Sequence, residues 1–597
     1  MLFTTFLVTA VALTAQVPDT LQTVTVIADR GVVVSRTDEI KLENSLSVTD
    51  ILHRSPSLLV VDNGGLAGLK TVSLRGMGSP HTAIYVDGVR VGNVQSGQAD
   101  LGMLGIENFS ETTIDYAQNS VSFHTPRPQF AEGRNTVGRL TFRGGSFGTY
   151  MPSGRIDFKL SDGISLSANA AGNFSKGDFG IRDGLRRENN DISQIKGGLD
   201  VFGLLDGGDW MAKLWCNGAD RGTPGSLDWP STDRQTDRNA FAQGLLRKRF
   251  GSVYSLQASA KASRDNIMYK SEWGDSDYGQ TEIQLNSSHR FTVRQWLDLS
   301  AAADIQWDGL RSTYYDASRT IITGTAAAAF RTGIFSADLA LEYDGTFDKG
   351  ASGISALSPS ADFNIRPGKG FRITGFVRRA FRTPTFNELY YPGYGNPDLK
   401  SEDALLSDIG IEWKLEHGRN WTAKASLDGF CNILKDKITS APSPDDPSLW
   451  MPYNIGKVRS LGLDAAAGAG YSNGPWKVSA DAKYTFMSAV DRTGDSYTYG
   501  EQIPYVARHS CAVLGSISYR EWALSPVWTS RCGRRDSYGE MPDWHTLDVT
   551  ISKTFQLGRS NLTASISGLN VTDCRYDLSS GYPMPGRSLL GGIQFTF

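Results

Sequence analysis

The sequence has little cysteine and almost no net charge, and each shortage excludes a class of protein. Its five cysteines among 597 residues are scattered and odd in number, so they predict neither a disulfide framework nor a CxxC metal site. Lys and Arg total 60 against 63 for Asp and Glu, which leaves a net charge of -3. That balance lacks the basic field by which proteins attract nucleic acid, so we expect no nucleic-acid partner.

Long apolar runs are also missing after the N-terminus, which excludes membrane-spanning helices in the rest of the chain. The run MLFTTFLVTAVALTA (1–15) is too short to cross a bilayer as a helix, and polar residues follow it. It is typical of a secretory signal peptide, although no Lys or Arg precedes it and Leu13 is not small. The alternative is a buried N-terminal strand. An exported chain without an apolar helix is periplasmic, secreted or a membrane β-barrel.

What the sequence does have is period-two alternation over hundreds of residues. Stretches such as ISLSANAAGNF (164–174), WKVSADAKYTF (476–486) and HTLDVTISKTF (545–555) alternate apolar with polar residues and are separated by turn signals. A membrane β-barrel explains this pattern, and it explains the low mean hydropathy of -0.28 because only every second residue faces lipid. A repeated sandwich or propeller is the alternative, but the sequence shows no fixed repeat period.

The length of this region predicts the size of the barrel. Residues 144–597, divided among 22 antiparallel strands, allow about 20 residues for each strand with its connection. The closing stretch GGIQFTF predicts a last strand that pairs with the first, with Phe597 near a membrane interface. Barrels of this width that serve transport carry a plug in the lumen.

Residues 37–143 predict such a plug, a small α+β domain without membrane strands. SVTDILHRSP (47–56) predicts a short helix that is capped by Ser47 or Thr49 and stopped by Pro56. TVSLRGMGSPHTAIYVDGVRVG (71–92) predicts two strands with a tight turn at Asp87-Gly88. We expect ETTIDYA (111–117) and TVGRLTFRGG (136–145) to complete its sheet. An ordinary periplasmic α+β domain is the alternative interpretation.

Three motifs follow one another along the chain: the plug stretch VSLRGMGS…TAIYVDGVRV, the barrel stretch FRTPTFNELYYPGYGNPDLKSEDA (381–404) and the closing stretch GLNVTDCRYDLSSGYPMPGRS…FTF (568–597). In this order they resemble the motifs of TonB-dependent outer-membrane receptors. The resemblance covers nearly the whole chain and implies active import across the outer membrane of a Gram-negative bacterium, without catalysis. One stretch departs from the family: residues 114–135 replace the usual Arg-Gly-Pro segment after the third plug strand.

The resemblance assigns the segment 16–36 to a TonB box and its linker. The box is the β-prone stretch formed by Thr23, Val24, Thr25, Val26 and Ile27. Such a segment would bind the periplasmic partner TonB as an added strand, through which the inner-membrane proton motive force drives import. A disordered leader is the alternative.

The plug motif contains residues expected to hold or gate the plug. Arg75 and Asp87 are charged residues that can pair with charges on the barrel wall. Gly76, Gly78 and Gly88 allow the positive-φ backbone that tight turns require.

The ligand is predicted from the branch of the family that the motifs resemble, which is the cobalamin receptors. FNELYYPGYGNPDL and GYPMPGRS are most similar to that branch, and the absence of His between Arg382 and Leu399 disfavours haem. A ferric siderophore is the alternative ligand. Aromatic residues expected in outer loops could pack on a large ring system: Trp229, Trp273, Tyr390, Tyr391, Tyr394 and Tyr453.

Two further partners follow from the same resemblance. Cobalamin receptors bind calcium in Asp-rich outer loops, and this chain offers hard oxygen ligands there: Asp228, Asp233, Asp237, Asp275 and Asp277. A solvated acidic loop is the alternative, since Arg221, Arg234 and Arg238 lie in the same stretch. Some gut bacterial relatives also use a surface lipoprotein as a lid, and the resemblance leaves that partner open.

Functions of another class are a passive porin and an outer-membrane barrel enzyme. GGSFG (144–148) matches the G-x-S-x-G nucleophile pattern, which requires a strand–turn–helix elbow. Here it is expected to open the first barrel strand instead. The seven histidines form no HExxH motif, so we expect no enzyme.

Overall fold

The computed structural model describes residues 37–41, 47–181, 184–350, 353–417, 420–443, 446 and 449–597. The predicted signal peptide (1–15) and the predicted TonB box with its linker (16–36) lie outside the described residues, so both stay predictions.

The N-terminal part of the described chain is a small mixed α+β domain. Five of its strands form one sheet in the order β1-β6-β7-β4-β5, in which β4 and β7 run parallel, while β2 and β3 form a separate hairpin. Its helix α1 (Val48–His53) begins where Ser47 Oγ accepts a hydrogen bond from the Asp50 amide, as the sequence predicted. The strands are β1 (Thr37–Lys41), β2 (Leu58–Asp62), β3 (Lys70–Leu74), β4 (Ala83–Val86), β5 (Val89–Val91), β6 (Glu111–Asp115) and β7 (Ser120–His124).

The core of this domain is apolar and fully enclosed. Ile51, Leu52, Ile114, Val121 and Phe123 are each completely buried, and they join the helix to the central strands of the sheet. The domain lies in the lumen of the barrel, and the same apolar cluster extends to residues of the barrel wall, among them Leu406 and Leu434.

The rest of the chain forms a closed barrel of 22 antiparallel strands, which confirms the predicted fold class and strand number. Four shorter strands lie in its connections: β27 (Arg534–Arg535), β28 (Glu540–Met541), β31 (Asp577–Ser579) and β32 (Tyr582–Pro583). The barrel strands are β8 (Thr136–Gly145), β9 (Thr149–Ser161), β10 (Ile164–Ser175), β11 (Ile192–Leu205), β12 (Gly208–Gly225), β13 (Pro230–Phe250), β14 (Tyr254–Lys270), β15 (Ser276–Arg294), β16 (Leu297–Ser312), β17 (Asp316–Arg331), β18 (Phe335–Asp348), β19 (Ile354–Gly368), β20 (Phe371–Arg382), β21 (Glu402–His417), β22 (Trp421–Pro442), β23 (Trp450–Asn473), β24 (Trp476–Asp491), β25 (His509–Tyr519), β26 (Trp522–Cys532), β29 (Trp544–Leu557), β30 (Ser560–Leu569) and β33 (Ser588–Thr596).

The chain end closes the barrel. Strand β33 pairs with both β30 and β8, and Phe597 continues the ladder by exchanging two backbone hydrogen bonds with Gly138. The ring of Phe597 stacks on that of Phe595 at 5.6 Å. Because every strand has two partners, the barrel has no unpaired edge.

The structure corrects the predicted boundary between the two domains. TVGRLTFRGG (136–145) does not complete the plug sheet but forms β8, the first barrel strand, so the barrel begins at Thr136 rather than at residue 144. The reason is its pairing partner: β8 matches β33, which lies more than 400 residues later in the sequence. GGSFG (144–148) therefore ends the first barrel strand instead of opening it, and Ser146–Gly148 form a 3-10 turn that leads into β9.

Alternation along the strands separates a lipid face from a lumen face. Ile283, Leu285 and Trp307 point outward and are about half exposed, whereas Lys261 and Glu282 on the opposite face are buried between wall and plug. No described helix is both long and apolar enough to cross a bilayer.

The two ends of the barrel differ. Residues 162–163 and 474–475 form tight turns at one end, while residues 383–401 and 492–508 form long connections at the other. Outer-membrane barrels have short periplasmic turns and long outer loops, which identifies the long connections as the outer face. The connection 383–401 contains a second helix, α2 (Phe386–Tyr390).

The closing seam, which is the pairing of β8 with β33, is not expected to tolerate a side chain at Gly145. A Cβ there would lie 2.0 Å from the Leu589 carbonyl oxygen and 2.9 Å from Leu590 Cα, both backbone atoms. Gly145→Ala should cost about 1–3 kcal/mol by overpacking and lower the folded fraction on a heat-modifiability gel. Gly244→Ala in β13 is the matched control, because no heavy atom lies within 4 Å of a Cβ there. Equal folded fractions in the two variants would contradict this account of the seam.

Candidate functional site

The plug is fixed to the barrel wall by a buried arginine. Arg75 Nη2 donates to Asp408 Oδ2 at 2.7 Å and to Asp464 Oδ2 at 2.8 Å, and Nε donates to Asp464 Oδ2 at 3.1 Å. Its guanidinium lies between the rings of Tyr116 in the plug and Phe430 in the wall, at 4.3 and 4.1 Å from their centroids. All three charged side chains are buried, so their attraction is weakly screened.

The backbone around Arg75 explains how the side chain reaches the wall. Strand β3 ends at Leu74, and Arg75, Gly76 and Gly78 all have positive φ, at 49°, 72° and 98°. The turn brings the Arg75 carbonyl within 2.8 Å of the Ser460 hydroxyl on β23, which donates to it. A Cβ at Gly76 would lie 3.0 Å from the Cβ of Ala489, so the turn presses closely against the wall.

Asp87 joins the plug to a second part of the wall. It occupies the tight turn between β4 and β5 with φ of 50°, followed by Gly88 at 83°, as its Asp-Gly sequence predicted. Its carboxylate accepts hydrogen bonds from the Thr125 amide at 2.8 Å and hydroxyl at 2.7 Å. Lys213 of β12 approaches Asp87 at 3.5 Å and Asp200 of β11 at 2.6 Å. The departing segment 114–135 therefore contributes Thr125 to this contact.

Plug helix α1 meets another part of the wall, at strands β26 and β29. Arg531 Nη2 donates to the carbonyl oxygen of His53 at 3.1 Å, and the His53 ring meets Trp544 edge to face. Burial, with Arg531 nearby, lowers the pKa of His53 to about 3. The imidazole is therefore neutral at physiological pH and adds no charge to the interface.

A tyrosine cluster lies on the outer side, where the long connection 383–401 meets residues 313–315 between β16 and β17. Tyr391 packs on Tyr314 and Tyr315 with ring centroids 5.5 and 6.1 Å apart, and Tyr278 lies 6.4 Å from Tyr314. The hydroxyl of Tyr390 donates to Asp348 at 2.6 Å. The structure thus groups two predicted ligand residues with three tyrosines that sequence reasoning missed.

The other predicted ligand aromatics do not join that cluster. Trp229 and Trp273 stand at hairpin tips with 82% and 89% of their surface exposed. Tyr394 contacts the β22–β23 hairpin through Ser440 at 2.7 Å, and Tyr453 lies on β23 of the same hairpin. They surround the outer mouth rather than forming one surface.

A polar cavity of about 290 Å³ separates the plug from one side of the wall. Arg90 and Asn119 border it from the plug, and Asp304, Asp308 and Glu342 border it from strands β16 and β18. This lining suits a hydrated space, whereas the Arg75 side of the plug is tightly packed.

The predicted calcium ligands do not come together. Asp237 is not in a loop: it points into the lumen from β13 and pairs with Arg221 at 3.1 Å. Asp233 accepts a hydrogen bond from Tyr269 at 2.5 Å, Asp277 is exposed on β15, and Asp228 and Asp275 lie in two different loops. In the part of the chain that the structure describes, no three His, Cys, Asp or Glu side chains could hold a metal ion. Calcium binding itself stays a prediction.

Comparison with known proteins identifies the family. A sequence profile for the TonB-dependent Receptor Plug Domain matches residues 21–126, and one for the TonB dependent receptor-like beta-barrel matches residues 112–571. The chain belongs to the TonB-dependent receptor family. It is therefore a TonB-dependent transporter in the outer membrane of a Gram-negative bacterium, and its family consists of receptors and transporters rather than enzymes.

Individual members share low identity with this receptor over nearly its whole length. The vitamin B12 transporter BtuB of Vibrio vulnificus is 24% identical, and that of Photobacterium profundum is 22% identical. Each alignment covers 94% of this chain and 91% of the relative. The solved siderophore receptor PirA from Acinetobacter baumannii has a TM-score of 0.74 at 13% identity, covering 94% of this chain and 98% of that one, which shows a shared fold.

In this TonB-dependent receptor, Ser146 is not placed as a nucleophile. Its hydroxyl accepts a hydrogen bond from the Leu589 amide at 2.9 Å, and the residue follows a barrel strand without entering an α-helix. The segment that matches the nucleophile pattern is therefore a turn beside the closing seam of the barrel.

Arg75→Ala is expected to loosen the plug, because it leaves Asp408 and Asp464 buried without their main cation. Removing one partner of a buried pair costs about 3–5 kcal/mol. The plug of this variant should unfold at lower urea, measured by protease cleavage of the plug, and cells should admit large antibiotics more readily.

The control for that variant is Arg379→Ala, which breaks an ion pair of similar geometry with Asp403, at 2.9 Å, on the outer surface of the wall. Exposed pairs contribute about 0–1 kcal/mol, so this change should leave the plug intact. Identical urea midpoints for the two variants would show that the buried cluster does not hold the plug.

Proposed function

We propose that this receptor imports cobalamin or a related corrinoid, driven by the inner-membrane proton motive force through TonB. The observation that carries the proposal is the similarity to two vitamin B12 transporters over 94% of the chain. The motifs FNELYYPGYGNPDL and GYPMPGRS point to the same branch of the family.

The geometry is consistent with energised import rather than passive flow. The plug lies in the lumen and contacts the wall through buried ion pairs, so it obstructs the path of a large solute. Energy must reach the plug from the periplasm, and the predicted TonB box (23–27) would supply the point of attachment by strand addition. A passive porin needs neither feature.

The tyrosine cluster supports a ligand with a broad flat surface. Tyr278, Tyr314, Tyr315, Tyr390 and Tyr391 present aromatic rings and hydroxyl groups on the outer side of the barrel. Aromatic faces with a few polar groups are the usual lining of sites for large ring compounds. We infer that a corrin ring would pack against this cluster.

A ferric siderophore is the second candidate ligand. Aromatic and arginine side chains also suit catecholate or hydroxamate complexes, and Arg319 lies beside the cluster, paired with Asp348 at 2.6 Å. The fold shared with a siderophore receptor is compatible with this alternative but does not favour it.

Calcium and an outer lid are the remaining proposals. The acidic hairpin tips near Asp228 and Asp275 could recruit calcium when ligand is present, and the exposed Trp229 and Trp273 offer apolar contacts to a surface lipoprotein. Both proposals rest on resemblance, since the five predicted calcium ligands do not meet.

Titration of the detergent-purified receptor with cyanocobalamin, followed by co-elution of the corrin absorbance, tests the ligand. Tight binding is expected, and weaker binding after chelation would support calcium. Tyr391→Ala should weaken binding by at least about tenfold, as expected for an aromatic anchor.

The matched control is Tyr538→Ala, which removes a tyrosine that is 97% exposed and lies outside the cluster. No binding of cyanocobalamin by the wild type, with binding of a ferric siderophore, would replace the corrinoid by the second candidate. Equal loss in both tyrosine variants would show that the cluster is not the binding surface.

A further inference from the structure

Helix α2 (Phe386–Tyr390) touches both the tyrosine cluster and the plug. It carries Tyr390 and is followed directly by Tyr391, while its N-terminal end packs on the apical loop of the plug, residues 93–98. A Cβ at Gly97, which has φ of 70°, would lie 2.7 Å from Thr385 Cγ2. Position 97 therefore accepts only glycine unless Thr385 shifts.

Asn387 contacts both the plug loop and the tyrosine cluster. Its backbone amide donates to the Gln95 carbonyl oxygen of the plug loop at 3.1 Å. Its side-chain oxygen accepts a hydrogen bond from the Tyr315 hydroxyl at 2.7 Å. A displacement of Tyr315 therefore acts on Asn387, and through Asn387 on the plug loop.

A chain of charged groups makes a second connection. Arg382 donates to Glu388 of α2 at 2.9 Å and to Glu402 of β21 at 2.5 Å, and the other oxygen of Glu402 contacts His81 Nε2 in the plug. Glu388 also accepts a hydrogen bond from the Thr385 amide at 2.7 Å, which closes a capping box at the start of α2. The capping box and the contacts of Arg382 thus fix the N-terminal end of the helix between wall and plug.

The wall fixes the other side of the cluster. Arg319 donates to Asp348 at 2.6 Å and to the Pro384 carbonyl oxygen at 2.8 Å, and Asp348 accepts from Tyr390. These hydrogen bonds connect the cluster to the barrel wall rather than to the plug. Tyr315 and Tyr390 therefore differ in what their hydroxyl groups hold, although both rings belong to one cluster.

We propose that α2 is the mechanical link between the tyrosine cluster and the plug, with Tyr315 and Asn387 as its positioning residues. The link passes through Gln95 to the apical loop and through Glu402 to His81. This inference rests on the proposed function in one respect: the ligand that moves the cluster is the imported nutrient.

The first test needs no ligand. Hydrogen–deuterium exchange of the amides in residues 93–98 is compared in the purified full-length receptor and two variants. Tyr315→Phe removes the hydroxyl that holds Asn387 and should speed exchange there about three- to tenfold, the effect of one hydrogen bond. Tyr390→Phe removes a hydroxyl from the same cluster whose partner is the wall, and should leave exchange unchanged.

A second pair of variants separates the link from a general loss of packing. Asn387→Ala removes the acceptor for Tyr315 and should reproduce the faster exchange. Asn387→Asp keeps an acceptor oxygen in the same place and should restore the wild-type rate. Unchanged exchange in Tyr315→Phe, or equal acceleration in Tyr390→Phe, would overturn the proposal.

Adding cyanocobalamin then separates this inference from the proposed ligand. In the wild type, binding should alter exchange in residues 93–98, and in Tyr315→Phe the alteration should be lost at a cyanocobalamin concentration that saturates the variant. Absence of cyanocobalamin binding in the wild type would contradict the corrinoid proposal, whereas the ligand-free comparison decides the link in either case. Binding to Tyr315→Phe with a full exchange response in residues 93–98 would contradict the link.

Discussion

The buried contact of Arg75 with Asp408 and Asp464 is the interaction on which the rest of the structure depends. A closed barrel of 22 strands is wide enough to leave a channel, and the plug must fill it. Apolar side chains of the wall, among them Leu406 and Leu434, pack against the plug core, but such contacts have no preferred direction. Paired charges that are hydrogen-bonded and stacked between two rings fix the position of the plug against the wall. Such a contact is specific in position and costly to break one partner at a time.

The same constraint explains how a closed receptor can still transport. The plug is not attached uniformly: it packs tightly at Arg75 and Asp87, yet a polar cavity of about 290 Å³ lies beside strands β16 and β18. Polar contacts can be replaced by hydrogen bonds to water when the plug is deformed, whereas separating an apolar interface would expose apolar surface to water at a cost in free energy. A pulling force applied from the periplasm could therefore open the plug locally without unfolding the barrel. On the outer side, α2 ties the tyrosine cluster to the same plug.

Sequence reasoning succeeded where the physical cause is local. Alternation predicted the strands, Asp87-Gly88 predicted a turn that both residues enter with positive φ, and Ser47 predicted a helix cap. The terminal GGIQFTF predicted a closing strand because a chain end in lipid must be paired. The alternation, the turn and the cap depend on residues within a few positions of one another.

Sequence reasoning failed where distant segments decide the outcome. Residues 136–145 have strand character in either domain, and only their register with β33 assigns them to the barrel. Asp237 was predicted as a loop ligand, but its position on β13 directs its side chain into the lumen, where it pairs with Arg221. The tyrosine cluster comes from strand β15 and two separate connections, and the pair Tyr314-Tyr315 was its visible signal in the sequence. The wall partners of Arg75 were hidden in the same way, as two aspartates at lumen-facing positions of β21 and β23.

The central claim is that transport through this plugged barrel requires energy delivered through the N-terminal segment. The most direct measurement compares uptake of labelled cyanocobalamin by cells that make the whole chain and by cells that make a chain lacking residues 20–30. The account predicts that surface binding is equal in both, that uptake is lost on deletion, and that an uncoupler of the proton gradient abolishes uptake by the whole chain. Uptake that survives the deletion and the uncoupler would contradict it and would indicate a passive pore.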